Sequence, residues 1–127
     1  MKPETADYLR KARRTLQNAK EILVIDLHDV AAREAYLSAF HAAEAYIFEL
    51  ADKTTKTHRG LRTSFSQLAK DDARMPSHFP RFLADAYELK SISDYGLDPS
   101  QTISGTDAVS AIEMAEHFVT TIEDLLK

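Results

Sequence analysis

The 127-residue sequence contains no cysteine and no tryptophan, only three glycines and four prolines. Without cysteine there is no disulfide, no thiolate metal site and no cysteine nucleophile, which fits a reducing compartment. With three glycines a glycine-rich phosphate loop cannot be built, and neither a G-x-S-x-G elbow nor an H-E-x-x-H pair occurs. No apolar run approaches the roughly 18 residues that a membrane span needs. The opening stretch MKPETADYLRKARR lacks the apolar centre of a secretory signal, so a cytoplasmic protein without a membrane partner is expected. Hydrophobic residues make up 44% and charged residues 28% of the chain. That balance describes one folded domain over residues 1–127 rather than a disordered chain.

The formal net charge of −4 is unevenly spread. Residues 1–62 carry 11 Lys/Arg against 9 Asp/Glu, and residues 63–127 carry 5 against 11. An acidic total excludes a protein that coats nucleic acid indiscriminately. Positive charge gathers at Arg10, Lys11, Arg13 and Arg14, and again at Lys53, Lys56, Arg59 and Arg62. These are either solvated helix faces or a local site for phosphate or an acidic partner.

Apolar residues recur at helical spacing. Leu9, Ala12, Leu16, Ala19 and Leu23 predict a helix over about 4–26, with Pro3 in its first turn. Asp29 is the expected cap of a second helix carrying Tyr36, Phe40, Ala43, Ile47 and Leu50. His28 is expected at a helix end where an imidazolium suits the dipole. A short helix carries Leu61, Phe65 and Leu68. Ser77 is the expected cap of a fourth, which Gly96 and Pro99 stop. Ser104 with Asp107 has capping-box spacing ahead of Ala108, Ile112, Ala115, Val119, Ile122 and Leu126. No segment alternates with period two. The expected fold is all-α, an antiparallel up-and-down bundle of four long helices plus one short helix. Val109, Phe118 and Leu125 widen the last stripe, so that helix is either central or meets a second copy.

No metal site or cofactor is expected. A di-iron bundle needs repeated Glu-x-x-His pairs, whereas His41 precedes Glu44, and Glu113 and His117 are four apart. Two polar clusters remain. Around the third helix start, Thr57 can cap while Lys56, His58, Arg59 and Arg62 converge near free N–H groups. At the fourth helix end, Lys90 and Asp94 are spaced to pair, with Ser93 and Tyr95 beside them. Ordinary capping and an ordinary i,i+4 ion pair are the alternative readings.

Three stretches together resemble the HEPN domain (higher eukaryotes and prokaryotes nucleotide-binding). Tyr36, Ala39, Phe40, His41 and Ala42 match its Y-x-x-A-F-H-A-A helix. Lys56, Thr57, His58, Gly60, Arg62 and Phe65 match its K-T-H-x-G-x-R-x-x-F element, and Asp94, Tyr95 and Gly96 its A-D-Y-G element. The resemblance covers roughly residues 5–125. It implies a bundle that homodimerises in toxin–antitoxin or stress-defence settings, beside a small nucleotidyltransferase. Many HEPN proteins are metal-independent ribonucleases using Arg, four to six intervening residues and then His, brought together across the dimer. Here the matching catalytic positions are Lys90 and Tyr95, a degenerate pair: lysine lacks arginine's fork and tyrosine is a poor acid–base group at neutral pH. No other arginine has the spacing, Arg74 to His78 being too short and Arg33 to His41 too long. The resemblance thus favours a nucleotide-, RNA- or partner-binding component over an enzyme, with Lys56, Thr57, His58, Arg62, Asp94 and His41 contacting ligand. The alternatives are a ribonuclease toxin in which His58 or His41 replaces the missing histidine, and a nucleotidyltransferase partner modified on Tyr95.

Overall fold

A computed structural model describes residues 1–127. Five helices follow in order: α1 Pro3–Val24, α2 His28–Ala51, α3 His58–Lys70, α4 Phe79–Tyr95 and α5 Gly105–Leu126. A single 3-10 turn, Pro99–Gln101, precedes α5. Cross-helix pairs establish the directions. Arg13 pairs with Glu123 and Lys20 with Glu116, so α1 and α5 run antiparallel. Lys2 reaches Glu49 at one end of α2, and Arg33 reaches Asp94 at the other, so α1 and α4 both oppose α2. No helix is long and apolar enough to cross a membrane.

The most buried helix is α2, which packs on all four others. Eleven of its residues are buried, seven of them alanines (Ala31, Ala32, Ala35, Ala39, Ala42, Ala43 and Ala45). Small side chains let neighbouring helices approach from several sides, and a helix buried all round has no single apolar stripe. The breadth of the α5 stripe is mostly taken up within one chain. Phe118 is buried against Phe65, Phe79 and Phe82, Leu125 packs at the core's margin, and Val109 is left exposed.

The ends of the helices follow local chemistry with three departures. Ser104 and Asp107 form the reciprocal capping box at 3.0 and 3.4 Å. Thr57 caps α3, its hydroxyl accepting from the Gly60 amide at 2.9 Å. α2, however, begins at His28 after Leu27, with no side-chain cap, and Asp29 lies inside its first turn. The α1–α2 turn is made tight by Asp26 at φ 60°, a left-handed conformation that aspartate tolerates, so the helix starts before Asp29 can cap it. His28 therefore sits at a helix N-terminus, where the dipole does not favour an imidazolium. α4 starts at Phe79 after His78, not from Ser77, because Pro80, at the third position after Ser77, has no N–H for that cap to accept. At the far end of α2 the exposed carbonyls of Phe48 and Glu49 accept from Lys2 Nζ at 3.2 and 2.9 Å.

The first basic cluster is largely spent on such packing. Arg10 pairs with Asp7 and Arg13 with Glu123, leaving Lys11 and Arg14 on a solvated face.

Candidate functional site

The two polar clusters of the sequence meet across the bundle. Thr57 starts α3 so that His58 is its first residue and Arg62 follows one turn later. Opposite, α4 presents Tyr87, Lys90 and Asp94 at i, i+3 and i+7, which is one face of a helix. The facing stripe on α2 is Arg33, Tyr36 and Phe40, with the same spacing.

His58 stands among three aromatic rings, with centroids 4.8 Å from Phe40, 5.3 Å from Tyr87 and 5.6 Å from Tyr36. The Tyr36 hydroxyl lies 2.6 Å from His58 Nδ1. The Arg62 guanidinium stacks over Tyr87, its carbon 4.3 Å from the ring centroid. One Arg62 nitrogen, Nη1, is buried and makes no hydrogen bond of good geometry, although the guanidinium is close enough to the Tyr36 hydroxyl to act on it. Lys90 Nζ is 2.7 Å from Asp94 Oδ2, and Arg33 Nε donates to Asp94 Oδ1 at 2.8 Å.

These distances set the charge states. Burial lowers the His58 pKa, and Lys90 and Arg62 lower it further against the weaker pull of Asp94 and Glu44. The ring is therefore neutral at pH 7. Burial raises the Tyr36 pKa, with the nearby Arg62 charge opposing the rise, so the phenol keeps its proton. With that proton on the phenol, Tyr36 can donate to Nδ1, which leaves the imidazole proton on Nε2. Hydrogen bonding from Lys90, seconded by Arg33, lowers the Asp94 pKa and keeps the carboxylate ionised. Three cations thus share one neighbourhood with a neutral histidine and with Asp94, while Arg33 also reaches Glu34 Oε1 at 3.5 Å. Such a surface is suited to holding a phosphate or carboxylate by charge-assisted bonds.

Of the residues singled out in the sequence, His58, Arg62, Lys90 and Asp94 come together, and Thr57 acts through the cap. Lys56 lies exposed just ahead of that cap. His41 is one residue from Phe40 but gives its Nδ1 to Glu44 at 2.7 Å, an i,i+3 pair within α2. Lys90 bonds Asp94 and passes 5.7 Å from the Tyr95 ring, which is 76% exposed. Arg33 and Tyr87 were not foreseen. Their one signal in the sequence is the i, i+3, i+7 spacing of Arg33 with Tyr36 and Phe40, and of Tyr87 with Lys90 and Asp94. Two clefts lie elsewhere. One of about 430 Å³ runs between α4 and α5 over Phe82, Leu89 and Met114, and one of about 450 Å³ lies beside Gly96 and His28. Neither cleft includes a residue of the His58 cluster.

Comparison with known proteins bears on the family of the chain rather than on this site. A family model described as HEPN domain matches residues 5–125. A UPF0332 protein of Gloeobacter violaceus is 32% identical over 96 residues, covering 76% of this chain and 75% of that protein. A UPF0332 protein of Archaeoglobus fulgidus is 29% identical over 111 residues, covering 87% of this chain and 86% of that protein.

Proposed function

The chain belongs to the HEPN domain family, and from that premise we propose that the His58 cluster binds the phosphate groups of a nucleotide or RNA. The observation that carries this reading is the set of cations around His58: Arg62 and Lys90 both act on its ring, Lys90 and Arg33 hold the one carboxylate of Asp94, and Arg62 Nη1 makes no hydrogen bond. An unpaired buried donor on a charged group is costly, so a site that keeps one gains from a ligand that fills it. Arg62, Lys90 and Arg33 are the contacts, with Lys56 adding charge at the rim. The replacement of the family's Arg and His by Lys90 and Tyr95 makes binding, rather than cleavage, the leading role. The proposal places the protein in a toxin–antitoxin or stress-defence system, as a homodimer with a nucleotidyltransferase as a further partner. The apolar groove between α4 and α5 supports a second copy as the covering partner.

Titration of ¹⁵N-labelled protein with ATP and with a short RNA at low salt tests the reading. Shifts should centre on His58, Arg62 and Tyr87. Arg62→Ala should weaken binding by about tenfold or more, and both Arg62→Ala and Lys56→Ala should flatten its salt dependence. No shift at these residues with either ligand would sink it.

A ribonuclease reading is favoured by one observation, a neutral histidine fixed at Nδ1 beside two cations. In that reading the neutral ring takes its other tautomer, Nδ1–H donating to the Tyr36 hydroxyl oxygen, so that Nε2 accepts the proton of a 2′-hydroxyl while Lys90 and Arg62 hold the phosphate. RNA incubated with the protein in chelator decides it. Cleavage that disappears in His58→Ala supports it, and cleavage unaffected by both His58→Ala and His41→Ala rejects it.

A further inference from the structure

Asp94 lies in the last turn of α4, where the helix dipole presents its negative end and a carboxylate is disfavoured. It is held there from outside that dipole. One oxygen takes Lys90 Nζ at 2.7 Å and the other takes Arg33 Nε, from α2, at 2.8 Å. Two oxygens of one anion bridging cations of two helices is how a bound phosphate would sit. Across the His58 ring, on which Lys90, Asp94 and Arg62 all act, Arg62 keeps Nη1 buried without a hydrogen bond. The cluster therefore has more donor capacity than its own acid can use.

We propose that Asp94 is an internal stand-in for the ligand, and that the ligand is a terminal phosphate rather than an internal phosphodiester. The inference rests on the phosphate-binding reading above and specifies its ligand. To take Lys90 and Arg33, an incoming group must displace a carboxylate of charge −1. A phosphodiester carries the same single charge and gains little by the exchange. A phosphomonoester or polyphosphate end carries about −1.5 to −2 at pH 7, with a third oxygen available for Arg62. The exchange selects dianions, and it releases Asp94 in the last turn of α4.

Calorimetric titration at low salt with pyrophosphate and with dimethyl phosphate tests this on the intact chain. Pyrophosphate should bind about tenfold or more tightly than the diester. Asp94→Asn removes the competitor and should tighten pyrophosphate binding by about tenfold. Unchanged or weaker binding by Asp94→Asn overturns the stand-in. If pyrophosphate still binds then, and Arg62→Ala abolishes it, the phosphate site survives without it. If pyrophosphate binds neither protein, both readings fail together. A second measurement needs no variant: the ¹³C signal of the Asp94 carboxyl should move on adding pyrophosphate, and a static signal at saturation overturns the displacement. ATP and a short RNA with a 5′-phosphate or a 5′-hydroxyl separate the sources. ATP binding alone marks a free nucleotide and preference for the phosphorylated RNA marks an RNA end. Equal binding of the two RNAs overturns the terminal-phosphate preference.

Discussion

The hydroxyl of Tyr36 and the Nδ1 of His58, 2.6 Å apart, tie the central helix α2 to the first residue of α3. The bond sets which imidazole nitrogen faces inward, and so which one can meet a ligand. Removing it should be visible in the histidine before it is visible in the fold. Tyr36→Phe should cost about 0.5–1.5 kcal/mol of stability. It should also raise the His58 pKa, because a hydrogen bond that favours the neutral ring is lost. The two-bond ¹⁵N–¹H correlations of the imidazole report both tautomer and pKa. An unchanged tautomer and pKa in Tyr36→Phe would show that the contact does not orient the ring.

The pH dependence of stability has a definite sign at this site. The His58 pKa is lowered in the folded protein by burial, Lys90 and Arg62, with Asp94 and Glu44 opposing. The unfolded chain therefore takes up this proton first, near pH 6.5. The stability contribution is complete above that value and is lost as pH falls through the folded pKa. His58→Gln should remove this slope, which cannot exceed about 1.4 kcal/mol per pH unit for one proton. Urea unfolding of both proteins between pH 7.5 and pH 5 gives the difference. Parallel curves would refute the assignment.

Gly96 is needed for space rather than for backbone freedom. Its φ of −69° is open to any residue, but an added Cβ would lie 2.7 Å from the Ile92 carbonyl oxygen. Backbone cannot yield as a side-chain tip can, so Gly96→Ala should cost about 1–3 kcal/mol. The distortion falls two residues from Asp94, and the Lys90–Asp94 pair should loosen with it. Thermal melting measures the first effect, and the ¹³C shift of the Asp94 carboxyl measures the second.

The Ser104 capping box anchors α5 independently of the site. Ser104→Ala removes the acceptor for the Asp107 amide and should cost about 0.5–2 kcal/mol. Affinity for pyrophosphate should stay the same, since α5 contributes no residue to the cluster. A loss of affinity matching the loss of stability would mean that the cluster depends on global packing rather than on α2, α3 and α4.

The helices were legible in the sequence because their signals are local. A 3–4 repeat, a proline at a first turn and Ser104 with Asp107 act within a few residues of themselves, whatever the rest of the chain does. α2 was the exception in kind. Its alanines bury it on all sides, and that role cannot be told from a one-sided stripe until its neighbours are placed. The caps misplaced at Asp29 and Ser77 were decided by the Asp26 turn and by Pro80, where chain direction overrode cap preference.

The candidate site divides along the same line. Lys90 with Asp94, and Thr57 with the start of α3, are within-helix relationships that spacing alone determines. That His58 faces Lys90, that Asp94 shares its carboxylate with Arg33, and that Arg62 stacks on Tyr87 are relationships between helices. They depend on the rotation and register of α2, α3 and α4 against one another, which the packing of the alanine-lined core decides. The sequence determined which residues each helix would present. The tertiary structure decided which of them meet, because charges separated by tens of residues interact only once apolar packing has brought their helices face to face.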